Sequence, residues 1–221
     1  TSVVDRDTAK SLSAAISKWF RSSGEKRLVL ATCHKDVREW LCPDHTFDTD
    51  SRQWLETGSL RRPDITLDIR PCEGQAVWEM FKKHHYLSHS FNKSANCWGA
   101  FWGAKLVAFT AIIAFPSGNW KDGWRAHRTV VLPEFQGLGI GNRLSESVAS
   151  FVTSEGGRFF SKTSHPAMGF HRDNSELWRG TSKNHMKRKD YRPTVGAKDC
   201  KDKMRHSDRL CYSHEFVGNR T

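Results

Sequence analysis

The stretch Arg128–Ser147 reads R-T-V-V-L-P-E-F-Q-G-L-G-I-G-N-R-L-S-E-S and decides the fold. Its β-branched start predicts a strand, Pro133 ends that strand, and three alternating glycines lead into a helix. Gly137, Gly139 and Gly141 accept positive φ angles and let a ligand approach the backbone closely. The first amides of a helix have no intrahelical partner and lie at the positive end of its dipole. The stretch therefore predicts an anion site, with a diphosphate as the expected ligand.

The spacing of the glycines narrows the choice of diphosphate. The loop is not a Walker A sequence because no G-K-[S/T] ends it, and Asn142-Arg143 after Gly141 departs from the dinucleotide pattern G-x-G-x-x-G. The pattern Gln136-x-x-Gly139-x-Gly141 after V-L-P resembles the acyl-CoA loop of the GNAT superfamily (Gcn5-related N-acetyltransferases). The alternative is a glycine-rich turn between a strand and a helix that binds no ligand.

The resemblance implies a cofactor, acetyl-CoA or another acyl-CoA. Backbone amides of the loop would hold the coenzyme A pyrophosphate, the preceding strand would pair with the pantetheine arm, and Arg143 would add a charge contact. The expected cofactor-binding residues are Val130, Val131, Leu132, Gln136, Gly137, Leu138, Gly139, Ile140, Gly141, Asn142 and Arg143.

Hydrophobic periodicity predicts the order of elements from residue 65 onward. The expected elements are a strand over 65–70, a helix over 73–86, a hairpin of strands over 95–102 and 105–115, a strand over 124–132, a helix over 142–154 and a strand over 157–163. This is the order of the GNAT fold, an α/β (α+β) fold with a mixed sheet flanked by helices. We expect that domain over 64–221, after a linker over 51–63. The resemblance implies that the strands 124–132 and 158–163 splay apart and admit the cofactor.

Acyl transfer to an amine requires that the thioester is held, its carbonyl polarised and the amine deprotonated. Many GNAT enzymes use a glutamate on or near the fourth strand, whereas that strand here carries Arg125, His127 and Arg128. His127 is the expected base, because histidine titrates near neutral pH. Ser164 and His165 follow the fifth strand, and we expect them to face the splay. Together with His85 and Tyr86, they are the further candidate catalytic residues.

A second cluster reads K-K-H-H-Y-L-S over 82–88. Together with the glycine loop and T-S-H-P-A-M over 163–168, it resembles the Mom-type DNA-modification proteins of phages. It also resembles the GNAT domains fused behind ABC ATPases in bacteria and phages. The resemblance implies that His84, His85 and Tyr86 line the acceptor site. The alternative is that these cations simply complement the dipole at a helix C-terminus.

Residues 1–50 have an α/β rhythm of their own. We expect a helix over 1–22 capped by Asp7 or Thr8, a buried parallel strand over 27–32, a helix or turn over 36–41 and an edge strand over 44–50. The segment resembles the C-terminal end of an ABC ATPase domain. That resemblance places Asp5 in the D-loop and makes His34 the switch histidine. We expect the remaining ATPase portion, ATP with Mg²⁺ and ABC-type dimerisation only in a longer parent protein.

The composition adds a strongly basic balance, with a formal net charge of +11. Residues 179–209 hold eleven Lys or Arg against four Asp. The charge is either a solvated surface or a nucleic-acid contact through Lys187, Arg188 and Lys189. Six cysteines without a C-x-x-C pair favour a reduced, cytoplasmic protein. We expect no metal site, because Cys200, His206, Cys211 and His214 match no usual zinc spacing, and no membrane partner, because no apolar run is long enough to span a membrane.

The main hypothesis is an acyl-CoA-dependent (N-acetyl)transferase that acts on nucleic acid or on a protein bound to it, coupled in the parent protein to an ABC ATPase. One alternative is a non-catalytic, nucleic-acid-binding module with the same fold. A second is that the chain is the regulatory end of an ATP-hydrolysing ABC protein.

Overall fold

The computed structural model describes residues 4–24, 27–56, 65–85, 89–118, 120–187 and 210–218. The helices are α1 (Arg6–Ser23), α2 (Val37–Leu41), α3 (Gly74–Phe81), α4 (Ile140–Ser154) and α5 (Pro166–Asp173). The strands are β1 (His45–Asp48), β2 (Gln53–Glu56), β3 (Asp68–Pro71), β4 (Asn96–Trp102), β5 (Lys105–Ala114), β6 (Gly123–Val131), β7 (Arg158–Thr163), β8 (Trp178–Gly180), β9 (Met186–Lys187) and β10 (Leu210–Phe216). Short 3₁₀ turns cover Lys82–His84 and Pro133–Phe135. None of the described helices is long and apolar enough to cross a membrane.

The main sheet has the order β3-β4-β5-β6-β7-β10-β8, and β9 extends the edge of β10. Neighbouring strands run antiparallel except for β6 and β7, which are parallel and joined by α4. The predicted elements between residues 65 and 163 are therefore confirmed, with boundaries that differ by up to about five residues. The predicted fold class, a mixed sheet flanked by helices, is also confirmed.

Each face of the sheet has its own hydrophobic cluster. On one face, Trp78 and Phe81 of α3 pack against Phe109 and Val130. On the other face, a larger cluster includes α4, strands β4 and β5, and the 3₁₀ turn before the glycine loop. Helix α3 lies against β4 and β5 on its face, whereas α4 lies against β5, β6 and β7 on the other.

Helix α1 packs on the α4 face through small residues. Its buried positions are Ala9, Ser11, Ser13, Ala14 and Ser17, whereas Leu12 is 50% exposed. Small side chains let the helix approach the domain closely. The cap is Asp5, whose carboxylate accepts from the Thr8 amide, so the prediction of Asp7 or Thr8 as the cap was wrong.

The predicted buried strand over 27–32 was also wrong. These residues form no strand and are exposed, and Val29 is 92% exposed. A buried parallel strand needs a strand on either side, and the described part of the chain places none beside this segment. The predicted edge strand is confirmed as β1, which pairs with β2 in a separate hairpin. Strand β2 lies within the predicted linker over 51–63, and most of the rest of that linker lies outside the described residues.

The sequence did not predict β10, which enters the sheet between β7 and β8. Five of its residues pair with β7, from Tyr212↔Thr163 to Phe216↔Phe159. Only Cys211, His214 and Phe216 are buried in this strand, so its apolar pattern is weak. The basic stretch that precedes β10 in the sequence is also typical of a solvated surface and does not indicate a strand.

Candidate cofactor cleft and active site

Strands β6 and β7 are joined at one end and part at the other. They pair only at Gly123↔Arg158, Trp124↔Phe159 and Arg125↔Phe160. Just beyond these pairs, β6 opposes Ile112 with Ala126 but Ala111 with Arg128, so that His127 is the extra residue of a β-bulge. A bulge bends its strand and increases the local twist. The described strands form no further β6–β7 pairs after the bulge, which leaves a cleft between them.

The glycine loop lies at the mouth of this cleft. Gly137 and Gly139 have φ angles of 81° and 84°, and Gly139 is the N-cap of α4. A Cβ atom at Gly137 would meet nothing within 4 Å. The side chain of Gln136 donates to the carbonyl of Val131 at 3.0 Å and closes the turn. The loop therefore presents the uncapped amides of a helix N-terminus, an arrangement that suits an anion.

Some of the predicted cofactor residues have side chains buried in the core, and others lie beside or on the surface of the glycine loop. Leu138 and Ile140 bury their side chains in the core, and Val130 packs on the α3 face, so these three can offer only backbone groups to a ligand. Val131 lies beside Gly141, where an added Cβ would be 3.2 Å from the Val131 Cγ2 atom. Leu132 is half-buried and packs against both clusters. Asn142 is half-buried, and Arg143 is exposed in the first turn of α4.

Met168 of α5 also faces the glycine loop, and the sequence did not single it out. Its Cε atom lies 3.8 Å from the position that a Cβ would take at Gly141. It belongs to T-S-H-P-A-M, so the motif identifies the segment but not the role of this side chain. The methionine gives the loop an apolar neighbour on the α5 side.

His127 is held as a neutral ring. Its Nε2 atom accepts a hydrogen bond from the Asn92 amide at 3.2 Å, which leaves the proton on Nδ1. Burial, assisted by Arg128, Arg125 and His85, lowers its pKa to about 4. A ring with so low a pKa is a weak base at neutral pH. Its observed contact anchors residue 92, and its role as the general base stays a prediction.

Arg128 connects the loop over 89–92 to β6. The bulge turns it towards the α3 face, where its guanidinium donates to the Ser90 carbonyl at 2.7 Å and lies 5.8 Å from the Trp78 ring centroid. Trp78 in turn donates to the His89 carbonyl at 3.0 Å. The loop over 89–92 is therefore held by side chains of both β6 and α3.

The predicted acceptor-site residues lie partly on this same face. His85 is buried, with its ring 5.6 Å from that of Trp78. The structure thus brings His85 and His127 to the same face, and His84 lies half-buried in the preceding 3₁₀ turn. Tyr86 lies outside the described residues.

Ser164 and His165 lie where the sequence places them, at the carboxyl end of β7. The Nδ1 atom of His165 accepts from the Met168 amide at 3.4 Å and caps α5. The hydroxyl of Ser164 is 3.6 Å from the sulfur of Cys211. These contacts fix the start of α5, and the catalytic roles of Ser164 and His165 stay predictions.

A buried arginine connects β7, one wall of the cleft, with α4, the helix that packs against β6 at the other wall. No pattern in the sequence indicates it. Arg172 of α5 donates to Ser161 of β7 and, at 2.9 Å, to Ser145 of α4. Its guanidinium also lies 4.3 Å from the ring centroid of Trp178. Burial lowers its pKa to about 10, so it remains charged at neutral pH. A single side chain therefore links α4, β7 and α5.

The structure describes three of the residues predicted for ATP and nucleic acid, namely Asp5, His34 and Lys187. Asp5 caps α1, and an ion pair between Arg6 and Asp36 brings the start of that helix near the segment that contains His34. Lys187 is exposed on β9, whereas Arg188 and Lys189 lie outside the described residues. Among the described residues, no group of His, Cys, Asp and Glu has the arrangement of a metal site.

The fold and the cleft define a class of protein, the acyltransferases with a mixed sheet that splays at a glycine loop. The model of the acetyltransferase (GNAT) family matches residues 34–174, and the chain belongs to this family. That match begins within the segment for which we predicted an ATPase end, and the boundary between the two stays a prediction.

Several solved structures are similar to this chain. One is an acetyltransferase from Bacillus subtilis in complex with CoA, at 12% identity and a TM-score of 0.49, covering 68% of this chain and 98% of the other. Another is the ribosomal-protein-S18-alanine N-acetyltransferase from Escherichia coli, at 11% identity and a TM-score of 0.47, covering 71% and 99%. A third is a GNAT acetyltransferase from Elizabethkingia anophelis with acetyl-CoA bound, at 10% identity and a TM-score of 0.41, covering 68% and 95%. No curated protein matches the chain significantly.

Proposed function

We propose that the chain is an acyl-CoA-dependent N-acyltransferase that binds its acyl donor between β6 and β7. The observation that carries the proposal is the parting of these strands at the His127 bulge, directly below an open glycine loop. An unpaired strand edge and a bare helix N-terminus are the two features that a pantetheine arm and a diphosphate need.

The diphosphate and the pantetheine arm of the acyl donor each have a matching group in the cleft. The amides of residues 137–142 would bind the diphosphate, with Arg143 as a cationic neighbour. The edge of β6 over 126–131 would pair with the amide groups of pantetheine, as an added strand does. Val131 and Met168, on either side of Gly141, would give the arm an apolar contact. The loop is thus the binding element and β6 the positioning element.

In the transfer step, the acceptor amine attacks the thioester carbonyl, and the thiol leaves after the tetrahedral intermediate collapses. A main-chain amide on the free edge of β6 would stabilise the oxyanion. The predicted acid–base groups are His127, His85, Tyr86, Ser164 and His165. The low pKa of His127 favours an acceptor that reaches the site already unprotonated, or a proton that leaves through water, over direct removal by this ring.

We propose nucleic acid, or a protein bound to it, as the acceptor. The support is the net charge of +11 and the basic stretch over 179–209. Coupling to an ABC ATPase, a relation to Mom-type proteins and an origin in phages or mobile elements are proposals as well. Their support is the resemblance of residues 1–50 and 82–88 alone. Roles for Asp5 and His34 in ATP use belong to the same proposal.

One observation favours a second candidate, a nucleic-acid-binding module without catalysis. Strand β6 carries no carboxylate, and the pKa of its histidine is depressed to about 4. Salt-dependent binding of a DNA duplex, with no heat of acetyl-CoA binding, would favour this candidate over the transferase.

The test is isothermal titration of the chain with acetyl-CoA at moderate salt. We expect binding in the micromolar range and its loss in Gly139→Glu, because the new carboxylate would lie where the diphosphate binds. The control is Gly156→Glu at the other end of α4, where φ is 82° against 84° at Gly139. A Cβ at Gly156 meets nothing within 4 Å, whereas a Cβ at Gly139 lies 3.1 Å from the Lys18 ammonium, the end of a flexible side chain. Because φ is similar at the two glycines, both variants carry a similar backbone strain, and a loss of binding in Gly139→Glu alone reports its place in the glycine loop. Wild-type protein without binding, or equal loss in both variants, would contradict the proposal.

A further inference from the structure

We infer that Lys18 of α1 supplies a cation to the diphosphate site, so that a helix outside the sheet completes the binding of the acyl donor. The inference rests on the proposed function. The ammonium of Lys18 donates to the Leu138 carbonyl at 3.1 Å, inside the glycine loop. It is also 3.1 Å from the position of a Cβ at Gly139, where no other group lies within 4 Å among the described residues. An anion bound over Gly139 would therefore meet this ammonium.

The position of Lys18 is fixed by the packing of α1. Ala14, one turn earlier on the helix, is buried in the cluster that contains Phe135 and Leu138. At the other end of α1, Asp7 pairs with Lys105 at 2.6 Å. Because the helix is held at both places, the lysine reaches the loop from a backbone that is already in position.

Electrostatics also point to an anion here. A cation near a helix N-terminus is repelled by the positive end of the dipole. The first turn of α4 carries no acidic residue that could offset this repulsion, and it adds Arg143. The acid nearest to the loop in sequence, Glu134, contributes, after Asp7, to the raised pKa of Lys105. Two cations and a row of bare amides around one loop are stabilised together when a diphosphate binds.

The alternative is that Lys18 serves only to satisfy the Leu138 carbonyl. In that case the lysine contributes to the stability of the loop and not to ligand affinity. The two cases differ in what happens when the charge is removed while the aliphatic stem is kept, which Lys18→Met achieves.

The experiment measures the dissociation constants of CoA and of dephospho-CoA, which keeps the diphosphate but lacks the 3′-phosphate. We expect Lys18→Met to weaken both ligands about tenfold, as loss of one charge-assisted contact to phosphate should, and Lys18→Arg to restore most of the affinity. The control is Lys10→Met on the same helix. The Lys10 ammonium lies 4.5 Å from the ring centroid of Trp102. We expect this variant to bind both ligands like the wild type.

Unchanged affinity in Lys18→Met, with wild-type binding intact, would overturn the inference and leave the proposed function standing. A loss for CoA alone would overturn it too, because it would assign the lysine to the 3′-phosphate. Wild-type protein that binds neither ligand would overturn both proposals. Should Lys18→Met fail to fold, acylation of lysines in the wild type gives a second measurement. CoA should protect Lys18 and not Lys10, and equal protection or none contradicts the inference.

Discussion

The two ends of the β6–β7 pair have the same strands but opposite surroundings. At the paired end, Trp120 stacks on Phe160 with ring centroids 5.4 Å apart, and Arg158 lies 4.3 Å from the Trp120 centroid. At the parted end, the neighbours are Gly137 with open space around it, Met168 and the ammonium of Lys18. The paired end is filled by side chains, whereas the parted end is the place where we propose that the acyl donor binds.

This difference shows how a sheet can hold a cleft without losing its order. The strands are fixed together below the bulge, and above it each is supported by its own neighbours, β5 for β6 and β10 for β7. At the parted end, the buried Arg172 connects β7 with α4. Three substitutions test these three parts separately.

The largest effect on stability is expected at Arg172, which connects β7 with α4 beside the cleft. We expect Arg172→Ala to lower the free energy of unfolding by about 3 to 4 kcal/mol, because it removes a fully buried guanidinium and strands two buried hydroxyls. Chemical denaturation measures this. The control is Arg179→Ala, whose side chain is 57% exposed and pairs with Glu215, and we expect it to cost under about 1 kcal/mol. Equal effects of the two variants would mean that Arg172 does not connect the walls.

The next effect is at the paired end. A Cβ at Gly123 would lie 2.3 Å from the Phe115 carbonyl oxygen and 2.6 Å from the Trp120 ring. We expect Gly123→Ala to destabilise the fold by about 2 to 3 kcal/mol, because a backbone carbonyl cannot move aside easily. Gly118→Ala, in the same connection but with nothing within 4 Å of its Cβ, should be near neutral. A melting temperature of Gly123→Ala equal to that of Gly118→Ala would show that the paired end tolerates change.

The features of the two ends that depend on residues close in sequence could be predicted from the sequence. The glycine loop could be located because positive φ favours glycine, and the φ angles of 81° at Gly137 and 84° at Gly139 agree with that expectation. The hairpin of β4 and β5 and the helix α4 followed from periodicity. These predictions succeeded because each depends on residues that are consecutive or close in the sequence.

The parts that depend on contacts distant in sequence could not be predicted. Arg172 is buried because Ser145, Ser161 and Trp178 meet around it, and each comes from a different element. Lys18 reaches the loop across 120 positions of the chain. The prediction of a strand over 27–32 was wrong although the local apolar pattern is typical of a strand, because no strand among the described residues lies beside this segment. Local patterns identify an element, and only packing decides its environment.

The smallest expected effect is at the bulge between the two ends, and it depends on pH. Burial first, and then neighbouring cations, lower the pKa of His127 to about 4, against 6.5 for the free side chain. Between these two values the unfolded chain binds a proton that the folded chain does not. The free energy of unfolding therefore falls as the pH drops from 6.5 to 4. We expect His127 to contribute about 1 to 2 kcal/mol to this fall, which is below the full value of the shift because the ring is only partly buried.

His127→Gln isolates that contribution, because the amide oxygen of glutamine can still accept from the Asn92 amide but does not titrate. Denaturation at several pH values between 4 and 7 should give a shallower slope for the variant than for the wild type. Some slope will remain, because burial also lowers the pKa of His214. Parallel curves for the two proteins would show that His127 is not held as a neutral ring. The bulge would then be free to place a protonated histidine in the cleft, and the difference between the two ends would lie in charge as well as in packing.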